Sequence, residues 1–159
     1  MNLFTVVIPT MWKYEPFIGF LSLLESHPLV GEIILINNDT KNKPDVKFGP
    51  KVKEFAFEPQ IYINPAWNLG VQNAVNDYIC IANDDIEFDL DVFERLQGRL
   101  QPNEGMFGLS PGKEEFDQPI HTSTDIDIIP WVNDHTFGYG CLMFCHKQSW
   151  FMIPSTLKM

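Results

Sequence analysis

The chain has 159 residues, of which 45% are apolar and 20% are charged, and its formal net charge is −10 at pH 7. These proportions are typical of a globular protein with a hydrophobic core and exclude a disordered chain. The negative charge argues against nucleic acid or an anionic membrane surface as the main partner. Because no apolar run approaches the roughly 20 residues of a membrane span, and no signal peptide is evident at the N-terminus, we expect a soluble, cytoplasmic protein.

The first half of the chain alternates strand and helix signals. Residues 4–8 and 33–36 are short β-branched apolar runs, each followed by polar turn-forming residues, and both predict buried strands. Between them Pro16 suits a first helical turn, and apolar residues then recur at helical spacing at Phe17, Phe20, Leu21 and Leu24. After a polar loop, residues 54–57 and 61–63 are weaker strand candidates.

A second helix and a central strand follow. Asn64 and Pro65 predict a helix start, with Asn64 as the N-cap and Pro65 as the first helical residue. Gly70 within this helix lowers helix stability by roughly 1 kcal/mol relative to alanine, which indicates close backbone approach to a strand or to a ligand. Residues 78–82 are apolar on both faces, as in a central parallel strand. The alternation predicts an α/β fold with a parallel sheet, in one domain over 1–159.

The second half is less regular. Apolar residues at helical spacing from Val92 to Leu100 predict a third helix, and further strands are predicted near 106–109, 126–131 and 140–144. The three cysteines, Cys80, Cys141 and Cys145, lie inside apolar runs, which favours buried free thiols over a disulfide or a zinc site.

Polar residues follow three of the predicted parallel strands. The segments concerned are Pro9-Thr10, Asn37-Asn38-Asp39 and Asn83-Asp84-Asp85. In open α/β sheets, ligands bind outside the carboxyl ends of such strands. Asparagine and aspartate are also ordinary turn formers, so each segment taken alone is equally compatible with a simple turn.

The third segment is more informative, because adjacent carboxylates repel each other unless a cation is bound. Asp84 and Asp85 are followed by Glu87 and Asp89, which adds to the negative charge. Carboxylates at a strand end, with water and phosphate oxygens completing the shell, are a common arrangement for Mg²⁺ or Mn²⁺. The chain contains neither a P-loop motif nor a G-x-G-x-x-G motif after its first strand, so a bound phosphate would depend on the metal.

Several segments together resemble the family-2-like, inverting glycosyltransferases of the GT-A fold. The resemblance covers nearly the whole chain, through residues 4–10, 33–39, 64–70, 81–85 (the D-x-D motif), 138–144 and 150–154. It implies a Rossmann-like, three-layer α/β/α fold with a mostly parallel central sheet. It also implies a nucleotide-binding half over 1–89 and an acceptor-side half over 90–159. The sequence departs from the family at Asn83, where many members have aspartate.

The resemblance also implies roles for individual residues. Residues expected to contact the nucleotide-sugar are Pro9, Thr10, Asp39, Asn68, Asn83 and Asp84. Asp85 would bind the Mn²⁺ or Mg²⁺ ion that bridges the two phosphates. The implied activity is metal-dependent, inverting transfer of a sugar from a nucleotide diphosphate, with UDP expected, to a hydroxyl of a glycan or protein acceptor.

The catalytic base has no clear candidate. The resemblance places an acidic residue shortly after segment 150–154, but the sequence ends at Met159. We therefore expect a truncated form whose base lies beyond Met159, with Asp134 and His135 as weaker candidates within the chain.

Two other functions remain open. A nucleotidyltransferase or pyrophosphorylase would normally have a glycine-rich basic loop after the first strand, whereas residues 9–15 contain no glycine and only Lys13. A non-catalytic nucleotide-sugar-binding domain is the other alternative. Trp12 could stack on a base, although packing in the core explains it equally well.

Overall fold

The computed structural model describes residues 1–102, 104–108, 142–154 and 157. Within these ranges the elements, in chain order, are β1 (Phe4–Thr10), α1 (Phe17–Ser26), β2 (Val30–Asn37), β3 (Val52–Ala56), α2 (Ile63–Asn73), β4 (Tyr78–Ala82), α3 (Val92–Arg95), β5 (Phe107–Gly108) and β6 (Leu142–His146). The described strands form one sheet in the order β3-β2-β1-β4-β6-β5.

The sheet is mostly parallel, as the sequence predicted. Strands β3, β2, β1 and β4 run parallel, whereas β6 runs antiparallel to β4 and to β5. Every residue of β1 and of β4 is buried. Strands covered on both faces must be mostly apolar on both faces, which explains why apolar residues dominate β1 and β4.

Helices cover both faces of the sheet, which confirms the predicted three-layer arrangement. One core packs α1 and Phe93 of α3 against one face, and the other packs α2 against the opposite face. Gly70 is the point of closest approach of α2 to the sheet, because a Cβ there would lie 2.1 Å from Cγ1 of Val7. Of the two predicted explanations for Gly70, the structure shows contact with a strand.

The order of the strands determines where a ligand could bind. The chain moves outward from β1 through β2 to β3, and α2 then returns it to β4 on the other side of β1. In open α/β sheets such a reversal of strand order leaves a crevice at the carboxyl ends of the two strands beside it. Here those strands are β1 and β4, so the topology predicts a ligand site beside Thr10 and the residues after Ala82.

The start of α2 differs from the prediction. Tyr62 is the N-cap, and its carbonyl accepts a 3.0 Å hydrogen bond from the amide of Ala66, so the helix includes Asn64. Asn64 lies inside the helix and not at its N-cap, and its side-chain amide donates to the carbonyl of Leu157 at 2.8 Å. The strand predicted over 61–63 was therefore wrong.

The third helix is shorter than predicted. It ends at Arg95, and Gly98 adopts a left-handed conformation with φ of 74°, which interrupts a right-handed helix. Leu96 and Leu100 are nevertheless buried, as their spacing predicted. The strand predicted near 140–144 is β6, displaced to Leu142–His146, and the candidate at 126–131 lies outside the described residues.

The described cysteines are buried free thiols, as predicted. Burial raises the pKa of the Cys80 thiol well above its usual value and that of Cys145 to about 12. Both sulfur atoms are therefore protonated at neutral pH, and Cys141 lies outside the described residues. No helix in the described part of the chain has the length and apolar character that crossing a membrane requires.

Candidate functional site

The candidate site lies where β1 and β4 end side by side. The segment 83–89, here called the acidic turn, begins directly after β4. Its first carboxylate, Asp84, accepts two hydrogen bonds from the end of β1, from Oγ1 of Thr10 at 2.6 Å and from the amide of Met11 at 3.2 Å. Both bonds use Oδ2 of Asp84, so one carboxylate oxygen is fixed to β1.

The neighbouring residues have unused oxygen atoms. Asp85 is exposed, and no hydrogen bond or ion pair involves its carboxylate within the described part of the chain. The side-chain oxygen of Asn83 is buried and has no hydrogen-bond partner among the described residues. A buried unpaired acceptor is costly, and a cation is one way to satisfy it. These oxygen donors match the ligands that Mg²⁺ and Mn²⁺ prefer.

A complete protein cage for a metal is not present. Among the described residues there is no group of three or more histidine, cysteine, aspartate or glutamate side chains placed to hold an ion. Mg²⁺ commonly takes one or two carboxylates and fills its remaining positions with water and substrate phosphates. The oxygens of the acidic turn therefore fit an ion that binds together with a phosphate-bearing ligand.

Trp12 lies beside the same strand ends in an unusual backbone conformation. Its φ is 60°, a left-handed value that bulky residues rarely adopt. Its amide donates to Oγ1 of Thr10 at 2.9 Å, and its indole Nε1 donates to Oδ1 of Asn37 at 2.8 Å. Its ring also stacks on Phe48. These contacts confirm the packing interpretation of Trp12, and no ligand contact is needed to explain its position.

Asn37 and Glu54 lie beside the candidate site; the sequence indicated the strand-end segment that contains Asn37 but did not single out Glu54. Asn37, the last residue of β2, is buried, and its Nδ2 donates to Glu54 of β3 at 2.7 Å. Glu54 in turn pairs with Lys43 of the loop between these strands. Turn-forming asparagines at strand ends are common, so only the register of β2 with β3 could have indicated this contact.

Asp39 lies at the edge of a small separate cleft. The cleft has a volume of about 110 Å³ and is lined by Asn38, Asp39, Thr40, Lys41, Phe57, Glu58 and Gln60. The exposed carboxylate of Asp39 accepts hydrogen bonds from the side chain and amide of Asn42 and from the amide of Lys41. The Asn42 side chain is the main reason that the pKa of Asp39 is lowered. Asp39 thus remains charged and shapes the loop that borders the cleft.

Pro9 and Asn68, two residues predicted to contact the nucleotide, contact other parts of the protein in the structure. Pro9 is buried within β1, opposite Ile36 of β2. The amide of Asn68 is 7% exposed and makes three hydrogen bonds with the C-terminal segment, one with Trp150 and two with Ile153. None of these bonds joins Asn68 to the acidic turn. Its predicted role toward the nucleoside stays a prediction, as does that of Pro9.

The structure therefore brings together Thr10, Asp84 and their neighbours Asn83 and Asp85, with Asp39 one strand further along the same edge. The weak candidates for a catalytic base, Asp134 and His135, lie outside the described residues.

Comparisons with known proteins identify the fold. No protein-family model and no curated protein sequence matches the chain. Among solved structures, the chain is similar to the mannosyltransferase PcManGT from Pyrobaculum calidifontis in complex with GDP-Man and Mn²⁺, at 14% identity and a TM-score of 0.56. That match covers 69% of this chain and 35% of the other. Mannosyl-3-phosphoglycerate synthase from Rubrobacter xylanophilus also matches, at 12% identity and a TM-score of 0.42, over 61% of this chain and 35% of the other.

The chain thus has the fold of the GT-A glycosyltransferases, which the resemblance predicted. It spans about a third of the length of the solved structures that it matches.

Proposed function

We propose that this chain binds a nucleotide-diphosphate sugar through a divalent metal at the acidic turn and forms the donor-binding part of an inverting glycosyltransferase. The observation that carries the proposal is the contrast between two adjacent carboxylates. Asp84 is fixed to β1 by Thr10 and Met11, while Asp85 next to it is exposed and has no partner among the described residues. A turn with only a structural role has no need for the second, unpaired carboxylate.

Within the acidic turn, some residues would bind the metal and another would position the turn. Asp85 and the unpaired oxygen of Asn83 would hold Mn²⁺ or Mg²⁺, and Asp84 keeps the turn against β1. The metal would neutralise the negative charge of the leaving diphosphate as a Lewis acid. Because the chain has a formal charge of −10, a metal also explains how an acidic protein could attract a diphosphate.

The nucleoside would lie toward β2. Thr10 ends β1, and Asp39 follows β2 on the same edge of the sheet, with its charge maintained by the surrounding loop. A carboxylate accepts hydrogen bonds from base or ribose donor groups. The sequence resemblance favours UDP, whereas the solved mannosyltransferase was crystallised with GDP-Man. Both nucleotides are therefore candidates for the donor.

Sugar transfer also requires an acceptor hydroxyl and a group that removes its proton. General-base catalysis contributes roughly 10²- to 10⁴-fold to a rate. Asp134 and His135 remain the candidates within this sequence for that role. Donor binding does not depend on them, so it can be tested separately from transfer.

Calorimetric titration of UDP and GDP, each with and without Mn²⁺, tests the proposal. We expect Mn²⁺ to increase the affinity of wild-type protein for at least one nucleotide, and Asp85→Asn to remove that increase while leaving thermal unfolding unchanged. Asp89→Asn is the matched control, since Asp89 is an exposed aspartate in the same turn. Unchanged Mn²⁺-dependent affinity in Asp85→Asn would overturn the assignment of the metal ligand. Failure of the wild type to bind either nucleotide would overturn the proposed function.

A further inference from the structure

Trp12 occupies a central position between the acidic turn and the loop 41–50. Its indole ring stacks on Phe48 of that loop, with centroids 6.0 Å apart and an interplanar angle of 11°, and tilts against Phe17 at 5.9 Å. Packing on these two rings restrains the side chain. Its amide and its indole N–H are both used in hydrogen bonds with strand ends.

The amide of Trp12 connects it to the acidic turn. A threonine hydroxyl has one proton to donate and lone pairs that accept. Thr10 gives its proton to Asp84 at 2.6 Å and accepts the amide of Trp12 at 2.9 Å. The amide of Trp12 comes two residues after Thr10 and reaches its hydroxyl oxygen, as in an ST turn. Because the Thr10 oxygen accepts the amide proton of Trp12, this contact helps to direct the Thr10 hydroxyl proton toward Asp84.

The indole of Trp12 connects it to the loop. Nε1 donates to Oδ1 of Asn37, and Nδ2 of the same amide donates to Glu54. Glu54 pairs with Lys43, whose ammonium lies 5.1 Å from the ring centroid of Phe48. Because Phe48 stacks on Trp12, this series of contacts both begins and ends at the Trp12 ring. The indole of Trp12 therefore contacts both the end of β2, through Asn37, and loop 41–50, through Phe48.

We propose that Trp12 is a positioning residue for the acidic turn, which couples the conformation of loop 41–50 to Asp84 and thereby sets the affinity for a metal-bound nucleotide. The proposal rests on the proposed function for its last step only. The coupling itself is a property of the protein without ligand, and it can be measured without one.

The first experiment measures the coupling by NMR of the indole N–H groups. The chain has four tryptophans, and the signal lost in Trp12→Phe assigns that of Trp12. We expect Asp84→Ala and Lys43→Met, at opposite ends of the path, each to shift this signal. Asp89→Ala, the control in the same turn, should leave it in place. A Trp12 signal that responds to neither Asp84→Ala nor Lys43→Met would overturn the proposal.

The second experiment measures the effect on binding. Trp12→Phe keeps an aromatic ring, removes the indole donor to Asn37 and reduces the ring area that packs on Phe17 and Phe48. Trp67→Phe is the matched control, because the buried Trp67 indole nitrogen has no hydrogen-bond partner in the part of the chain that the structure describes. We expect Trp12→Phe to weaken binding of Mn²⁺–GDP or Mn²⁺–UDP about tenfold, which corresponds to about 1.4 kcal/mol, and Trp67→Phe to bind as the wild type does.

The two experiments distinguish failure of the positioning role of Trp12 from failure of the proposed function. Wild-type affinity in Trp12→Phe would overturn the positioning role even if the NMR signals are coupled. Equal losses of affinity in Trp12→Phe and Trp67→Phe would also overturn it, because a general loss of packing would then explain both. If the wild type binds no nucleotide, the proposed function fails, and the NMR experiment still decides whether Trp12 couples the loop to Asp84.

Discussion

The hydroxyl of Thr10 donates a 2.6 Å hydrogen bond to Oδ2 of Asp84, which lies 74 residues later in the chain. The bond joins the carboxyl ends of β1 and β4, where the order of the strands reverses. A hydrogen bond to a charged acceptor is about twice as strong as one between neutral groups. It therefore holds the acidic turn at the crevice in which open α/β sheets bind their ligands.

Replacement of Thr10 tests this bond. Thr10→Val has nearly the same shape but cannot donate to Asp84 or accept from the amide of Trp12. We expect the free energy of unfolding to fall by about 1–2 kcal/mol, and the Mn²⁺-dependent affinity for nucleotide to fall as well. Urea unfolding and calorimetry measure these effects. Thr10→Ser, which keeps the hydroxyl, should behave like the wild type; identical behaviour of the valine and serine variants would contradict the prediction.

Asp39 is predicted to act on the nucleoside and not on the metal. It lies after β2, outside the acidic turn, beside the cleft of about 110 Å³. We therefore expect Asp39→Ala to weaken binding of UDP or GDP by the same factor with and without Mn²⁺. Calorimetry gives both factors, and Asp45→Ala controls for loss of an exposed negative charge from the adjacent loop. A loss seen only in the presence of Mn²⁺ would place Asp39 among the metal ligands instead.

Asn68 is expected to hold the C-terminal segment. Its buried amide donates to the carbonyl of Ile153 and accepts from the amide of Ile153 and the indole of Trp150. Asn68→Ala removes these three hydrogen bonds, each of which contributes about 0.5–1.5 kcal/mol. We expect faster proteolytic cleavage near Phe151, which is 87% exposed.

Limited proteolysis followed by mass spectrometry detects that cleavage. Gln72→Ala is the control, since Gln72 is exposed and donates a hydrogen bond to the sulfur of Met152 in the same segment. Nucleotide affinity measured in Asn68→Ala also tests the role predicted from the sequence. A large loss of affinity without faster cleavage would favour a direct contact between Asn68 and the nucleoside.

The sequence predicted the central elements of the fold well because their signals are local. The strand predicted over 78–82 is β4 with the same bounds, since a strand buried on both faces shows as one apolar run. The start of α2 was mispredicted: the helix begins at Ile63, and Asn64 makes a long-range contact with Leu157. Such a contact depends on how the C-terminal segment packs, which the spacing of residues near position 64 does not contain.

The position of the candidate site at the strand ends was predicted from local signals of the same kind, and the roles of its residues stay predictions. The ends of β1 and β4 could be recognised from polar residues after apolar runs, and the structure brings Thr10 and Asp84 into contact. The contacts of Trp12 with Asn37 and Phe48 could not be predicted. They depend on a left-handed backbone conformation and on the relative positions of three segments.

The other end of the sheet provides a test of stability against pH. Glu32 of β2 is 2% exposed and accepts hydrogen bonds from Thr5 at 2.8 Å, Lys53 at 2.5 Å and the amide of Val75 at 2.9 Å. Burial alone would raise the pKa of this carboxyl group. The three donors and the positive charge of Lys53 outweigh burial and lower the pKa below its usual value of 4.5.

A carboxyl group whose pKa is lower in the folded state than in the unfolded state stabilises the fold in its charged form. The contribution of Glu32 is therefore fully present above its unfolded pKa, near 4.5. It is lost as the pH falls from there through the folded-state pKa.

We expect Glu32→Gln to be less stable than the wild type at pH 7, and the difference to shrink between pH 5 and the acid limit of folding. Urea unfolding over this pH range measures both, with Glu104→Gln, at an exposed position, as the control. A stability difference between Glu32→Gln and the wild type that stays constant as the pH falls would show that Glu32 does not titrate differently on folding.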